Sequence, residues 1–273
     1  GICASKYVGY ELLKFVLKQS NVSFVIVHRD DTYKDSIINL CKKYDVQCFD
    51  IDINSNEFIY LIEKNNIDLI LLDEPIADTN YTKPTWQRWY VWDILENSGL
   101  DYEKVALIDV DTMIHWDSPN IFNEINDEIG VCVDNDNIGW VNQSIDGYKH
   151  MFNVNIDWTE YFNCGMVVLD KSSKGFCSKI IKFWETNHQD LVQLQDTLRK
   201  GTDQTPVNYI AKNYKIKYLN KKWNLTHLNR KEILNNFDFI NCGYIWHFNG
   251  FDKSHRTPLM EQTWNKIKEN YEN

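Results

Sequence analysis

Residues 105–111 read Val-Ala-Leu-Ile-Asp-Val-Asp, an apolar run that ends in two carboxylates spaced i and i+2. The unbroken aliphatic stretch predicts a strand buried on both faces. Such a strand delivers Asp109 and Asp111 to its carboxyl end, the edge where open α/β sheets bind ligands. Burying unpaired carboxylates is unfavourable by several kcal/mol each, so two together at the end of a core strand call for a cation. Oxygen donors suit Mg²⁺ or Mn²⁺, ions that commonly complete their shells with substrate phosphates.

Upstream, short β-forming runs alternate with amphipathic segments. Strands are expected at 2–4, 24–27, 46–50 and 69–72, and helices at 9–18, 34–44 and 57–65. This βαβ succession predicts an α/β fold with an open, twisted, mostly parallel sheet flanked by helices. Pro84 fits the first turn of a helix that runs to about residue 98 and stops at Gly99. Its Trp86, Trp89, Tyr90 and Ile94 share one face and read as core. Arg88, in the same apolar-rich helix, requires a carboxylate or phosphate partner, which leaves a ligand and a structural ion pair both open.

Downstream, strands are expected at 105–108, 130–133, 165–169 and 244–248, and helices at 176–186 and 206–212. The sequence holds no internal repeat, low-complexity tract or Gly/Ser/Pro-rich linker. A single domain over 1–273 is expected, with 1–72 a βαβ half of nucleotide-binding type and 73–273 a metal and acceptor half.

The chain has 273 residues, 43% hydrophobic and 14% aromatic, which excludes a disordered tail and a small disulfide-stapled module. Lys and Arg number 29 against 39 Asp and Glu, a formal charge of −10, which argues against nucleic acid or an anionic membrane as partner. Seven cysteines form no CxxC pair and read as reduced core residues. Sequons at Asn21, Asn80, Asn142 and Asn224 are what an Asn-rich composition generates by chance. Apolar runs such as 67–72 are too short to cross a bilayer, and no signal peptide precedes the first strand, so a cytoplasmic location is expected. Gly1 in place of Met points to a start further upstream.

The motifs after Asp111 follow an order. Asp134 comes behind the strand at Val131, Asn163-Cys164-Gly165 opens another strand, and Asp203-Gln204 opens a helix. The run His247-Phe248-Asn249-Gly250-Phe251-Asp252-Lys253 comes last. This order, from Pro84 to Lys253, resembles glycosyltransferase family eight, the retaining GT-A enzymes that include glycogenin and bacterial lipopolysaccharide galactosyltransferases. The resemblance implies Mn²⁺ (or Mg²⁺) held by Asp109, Asp111 and His247, and a nucleoside diphosphate sugar as donor, with a UDP-hexose the expected one. It implies that the His-x-x-Gly-x-x-Lys element, His247, Gly250 and Lys253, meets the diphosphate. By the same resemblance Arg88, Asp134, Asn163, Gly165, Asp203 and Gln204 would approach the donor sugar, with Asp203 and Gln204 nearest the reacting face. The implied activity is transfer of a hexose to a carbohydrate or glycoconjugate acceptor with retention. The family often continues Lys-Pro-Trp where this chain has Lys253-Ser254-His255.

The segment 2–72 is also similar to the N-terminal half of the formyltransferase fold, but the catalytic Asn, His and Asp motif of that fold does not follow it. A formyltransferase-like chimera, or a non-catalytic carbohydrate-binding or assembly protein with a degenerate transferase fold, therefore stands beside the enzyme. Sugar-phosphate nucleotidylyl transfer would need a Gly-rich basic loop after the first strand, which Cys3-Ala4-Ser5-Lys6-Tyr7 does not supply.

Overall fold

The computed structural model describes residues 2–4, 13, 17, 24–28, 32–51, 84–115, 117–228 and 235–272. The chain divides into two units, Gly1–Glu74 and Pro75–Asn273. In the first, β1 (Ile2–Ala4), β2 (Phe24–His28), α1 (Lys34–Lys43) and β3 (Gln47–Ile51) appear in chain order. The three strands form a parallel sheet in the order β1-β2-β3, with Ile2 opposite Val25 and Phe24 opposite Gln47. Leu13, Leu17, Val25, Val27, Ile37 and Cys41 form its core. Leu13 and Leu17 are helical, while the rest of the helix expected at 9–18, and the helix and strand expected at 57–65 and 69–72, lie outside the described residues.

The second unit starts with α2 (Pro84–Gln87), a 3₁₀ turn (Arg88–Tyr90) and α3 (Val91–Asn97), one helical segment broken where the sequence led us to expect an unbroken helix. Then follow β4 (Lys104–Ile108), β5 (Thr112–Ile114), β6 (Ile129–Val133), α4 (Ile138–Tyr148), β7 (Phe162–Asp170), α5 (Lys174–Leu198), α6 (Gln204–Ala211), β8 (Ile216–Tyr218), β9 (Ile245–His247) and α7 (Lys253–Glu272). The α/β class is as expected. The strand directions differ from a mostly parallel sheet, because in the order β4-β7-β6-β8 the central β7 runs antiparallel to both neighbours and only β6 and β8 are parallel. Burial explains the misreading: β7 is buried from Phe162 to Leu169, so it reads as the continuous apolar run typical of parallel strands. A separate antiparallel pair, β5-β9, sets Thr112 opposite His247.

Helix α5 runs twelve residues past the expected end at 186. Its C-terminal half is polar, but Phe176, Cys177, Ile180, Trp184, Leu191 and Gln195 keep one buried stripe at helical spacing. Trp184 stacks on Trp86 at 4.5 Å, and Trp89 meets Phe176 edge-on at 5.8 Å, so the aromatic face of α2 is core as read. No helix among the described residues is long and apolar enough to cross a membrane. Cys41, Cys132, Cys164 and Cys177 are free and buried, whereas the free Cys242 is exposed.

Trp184→Ala removes one half of the stack where Trp184 is only 3% exposed. We expect a loss of about 3–5 kcal/mol, as for other large-to-small changes in a core. Chemical denaturation reads it as a lower midpoint at unchanged slope. A loss below about 1 kcal/mol would show that the stack does not carry the packing of this unit.

Candidate active site

The site is assembled where β4, β7 and β9 end. Asp109 directly follows β4, and its N–H donates to Gly165 O at 2.9 Å. Thr112 Oγ1 donates to Asp109 O at 2.7 Å, which tightens the turn through Val110 and Asp111. Phe248 N donates to Asp111 O at 2.8 Å, so the β5-β9 pair brings the second carboxylate beneath His247. Val110, between the two carboxylates, is fully exposed. The pairing of β6 with β7 jumps from Val131↔Val167 to Cys132↔Asn163, an irregularity that turns Asn163-Cys164-Gly165 toward the same point.

His247 is only 2% exposed, and its protonation can be assigned from the hydrogen-bond network. The Gly165 N–H points at Asn163 Oδ1, 2.9 Å away, so that oxygen is an acceptor. It also receives Asn224 Nδ2 at 2.9 Å, which leaves Asn224 Oδ1 facing His247 Nδ1 at 3.0 Å. Nδ1 therefore carries a proton, and in the neutral ring Nε2 presents a lone pair. Nε2 is buried without a hydrogen-bond partner among the described residues, 3.2 Å from Asp111 Oδ1 and 3.6 Å from Asp109 Oδ2.

Each carboxylate divides its oxygens between an arginine and the imidazole. Arg88 NH1 lies 2.7 Å from Asp109 Oδ1, and Arg256 NH1 lies 2.9 Å from Asp111 Oδ2. Burial pushes the Asp111 carboxyl up, yet it lies below the ordinary carboxylate range, with the Arg256 guanidinium among the groups that hold it there. Two oxygens and one imidazole nitrogen thus converge within 4.8 Å of one another. Three electron-pair donors facing one point fit a divalent cation, and the nitrogen favours Mn²⁺ over Mg²⁺. Gly165 is required by this crowding. A Cβ there would collide with His247 Cε1 and come within 2.8 Å of both Asn163 Oδ1 and Asp109 Oδ2.

Next to this point lies an amide-carboxylate network. Gln204 Nε2 donates to Asp134 Oδ2 at 2.9 Å, and Gln204 Oε1 receives Asn163 Nδ2 at 3.1 Å and Cys164 N at 3.2 Å. Asp134, Asn163 and Gln204 are therefore brought together as the sequence order suggested. Asp203 is different. It stands at the N-cap of α6, yet its side chain caps nothing. Its carboxyl is only 2% exposed and accepts the Trp89 indole N–H and the Thr202 hydroxyl, each at 3.1 Å. Burial pushes its pKa up against the opposing pull of Arg88, whose Nε stands 3.8 Å away. Arg88 also donates from NH1 to Cys164 O at 2.8 Å, so it ties α2, β4, β7 and α6 together. Among the described residues Arg88 thus forms ion pairs with Asp109 and Asp203.

Gly250 has φ +77 and open space around a Cβ, so it is needed for its left-handed turn rather than for tight packing. Lys253 opens α7, and its side chain lies outside the described residues. Asn224, Trp89 and Arg256 were missed in the sequence. Asn224 was passed over as a chance sequon, Trp89 carried only a core signal, and Arg256 follows a point where the Lys-Pro-Trp pattern is absent. A second cluster, Asp134, Asp136 and His227, also gathers ligand atoms within 4.8 Å of one another. There Lys221 Nζ neutralises Asp136 at 2.8 Å and Thr226 donates to the same oxygen at 2.5 Å, so that group is satisfied by protein.

The sequence profile described as Glycosyl transferase family 8 matches residues 11–256. The chain belongs to this family and is a glycosyltransferase. Two solved structures align over nearly the whole chain. Mouse xyloside xylosyltransferase 1 in its apo form is 11% identical, with 91% of this chain and 96% of that chain covered and a TM-score of 0.39. A glycosyltransferase involved in the glycosylation of the major capsid of PBCV-1 is 9% identical, with 96% and 98% covered and a TM-score of 0.39. No individually curated protein shows significant sequence similarity to the chain.

Arg88→Met would leave Asp203 buried beside an apolar side chain. Breaking a buried pair on one side is expected to cost about 3–5 kcal/mol. Adding Asp203→Asn removes the uncompensated charge and should restore more than half of the loss, measured by denaturant unfolding in a double-mutant cycle. Additive losses would show that the two groups do not interact.

Proposed function

We propose that this chain transfers a hexose from a UDP-hexose to a hydroxyl of a carbohydrate or glycoconjugate acceptor. In this reading it depends on Mn²⁺, or less effectively Mg²⁺, and retains anomeric configuration. The observation that carries metal dependence is the buried, partnerless Nε2 of His247 facing one oxygen of each of two carboxylates. Asp109 Oδ2, Asp111 Oδ1 and His247 Nε2 would hold the cation, with Asn224 fixing the tautomer that makes His247 a ligand. When bound, the ion supplies positive charge to the donor diphosphate as the glycosidic bond breaks.

The protein groups around it have distinct duties. Arg88 and Arg256 each hold one oxygen of a carboxylate, which aims the other toward His247. Lys253, six residues past His247 and beyond the left-handed turn at Gly250, is assigned to the diphosphate. Gln204, half-buried and locked to Asp134 and Asn163, faces the donor sugar. Asp203, recessed behind Trp89 and Arg88, acts as a positioning residue that holds Arg88 on Asp109. An amide is a poor nucleophile, so with Gln204 at the sugar the reading takes the same-face route, in which the leaving phosphate guides the incoming hydroxyl. Retention itself rests on the family.

Asp109→Asn and Asp111→Asn should each reduce Mn²⁺-stimulated release of UDP from UDP-glucose or UDP-galactose by about a hundredfold or more, with the fold intact by circular dichroism. Unchanged turnover in both variants would remove the metal role. Gln204→Ala should lower turnover far more than UDP affinity, which calorimetry reads separately, and an equal loss in both would move Gln204 away from the sugar. Proton NMR of the product's anomeric coupling tests retention, and an inverted product would overturn it.

A further inference from the structure

Beside the candidate active site, and sharing Gln204 with it, opens a cleft of about 580 Å³. Trp140 of α4, Gln195 at the end of α5, the turn residues Arg199, Lys200 and Thr202, and Gln204 of α6 line it. We infer that this cleft is the acceptor subsite of the transferase proposed above, on which the inference rests, and that it takes an anionic sugar bearing a carboxylate or a phosphate.

Position is the first argument. The Gln204 side chain that lines the cleft is the one bonded to Asp134 and Asn163, so a ligand there would lie against the group assigned to the donor sugar. The volume falls within the roughly 300–1,000 Å³ usual for small-ligand sites. Charge is the second. Neither Arg199 nor Lys200 has a side-chain hydrogen bond or ion pair with another described residue, and of the charged groups lining the cleft only Asp196 is acidic. The lining therefore carries an excess of positive charge in a chain whose formal charge is −10. Arg199 is exposed and held in a left-handed conformation at φ 53 by its N–H bond to Gln195 O at 2.7 Å. A non-glycine residue fixed there is the kind of strain that the surrounding structure must over-determine.

Chemistry of the wall is the third. Gln195 is 3% exposed, and its Nε2 donates to Thr202 O at 2.7 Å, which fixes the amide orientation. Its Oε1 is buried without a hydrogen-bond partner among the described residues. Trp140 adds a half-buried indole, the surface on which a pyranose face packs. An indole and two cations without a partner among the described residues together describe an acidic sugar better than a neutral one.

The test is a ligand-observed NMR titration of the full chain, with Mn²⁺ and UDP present, using methyl glucuronide, a hexose monophosphate and methyl glucoside. Both acids should bind about tenfold or more tightly than the neutral glycoside, with a preference that fades as salt rises. The tighter acid identifies carboxylate or phosphate as the natural group. Arg199→Gln combined with Lys200→Gln should abolish the preference, and Trp140→Ala should weaken all three sugars. Equal binding of the three sugars, no binding of either acid, or a preference that survives the double substitution would overturn the inference. So would a double variant that loses thermal stability but keeps the preference, because the two cations would then serve only the negative end of α5. Mn²⁺-dependent release of UDP from UDP-hexose without acceptor is read in parallel. Its absence would sink the transferase reading while the titration still reports on the cleft.

Discussion

Between His247 Nδ1 and Asn224 Oδ1 lies a 3.0 Å hydrogen bond whose direction is fixed two amides away, by the backbone N–H of Gly165 on Asn163 Oδ1. Had either amide been turned over, the imidazole proton would sit on Nε2 and form an ordinary hydrogen bond to Asp111. As built, the neutral ring offers a lone pair to two carboxylates at 3.2 and 3.6 Å. Such a group is unfavourable by itself, since three electron-rich atoms repel in a low-dielectric pocket. A cation shared among them would make the arrangement favourable, and the two arginines occupy the remaining carboxylate oxygens.

The backbone is shaped around that point. β7 departs from regular pairing with β6 at Cys132↔Asn163, yet keeps Ile108↔Met166 on its other edge, so one strand both anchors the core and presents Asn163 and Gly165. The small β5-β9 pair is separate from the main sheet and sets Thr112 opposite His247. Without it, Asp111 and His247 would belong to unconnected turns 136 positions apart in the chain. Arg88 serves the same end from the helical side, since it binds Cys164 O, Asp109 and Asp203 at once. A wall built of interlocked amides, as Gln204, Asn163 and Asp134 form here, moves little, which is how electrostatic groups act without reorganising.

Much of this was legible in residues 105–111, because an apolar run ending in paired acids states both a strand and a charge problem that the strand cannot solve alone. His247 was legible only through its spacing to Gly250 and Lys253. Asn224 was not legible. Its neighbours Leu225 and Thr226 make it a sequon, and nothing in the order of residues reveals that its side chain is fully buried between Asn163 and His247. Strand direction in the second unit was hidden for a different reason: a strand covered on both faces is uniformly apolar whichever way its neighbours run. The length of α5 was hidden because its buried stripe continues through Leu191 and Gln195 while the intervening residues are polar. Asp203 was read as near the reacting face, and nothing in the order of residues reveals that its carboxylate is buried against Trp89 and Arg88.

The most direct test of the account is anomalous X-ray diffraction at the manganese edge from crystals of the full chain grown with Mn²⁺ and UDP. The account predicts a single strong peak in contact with Asp109, Asp111 and His247 Nε2. A peak at Asp134, Asp136 and His227 instead, or none at either cluster while UDP is bound, would contradict it.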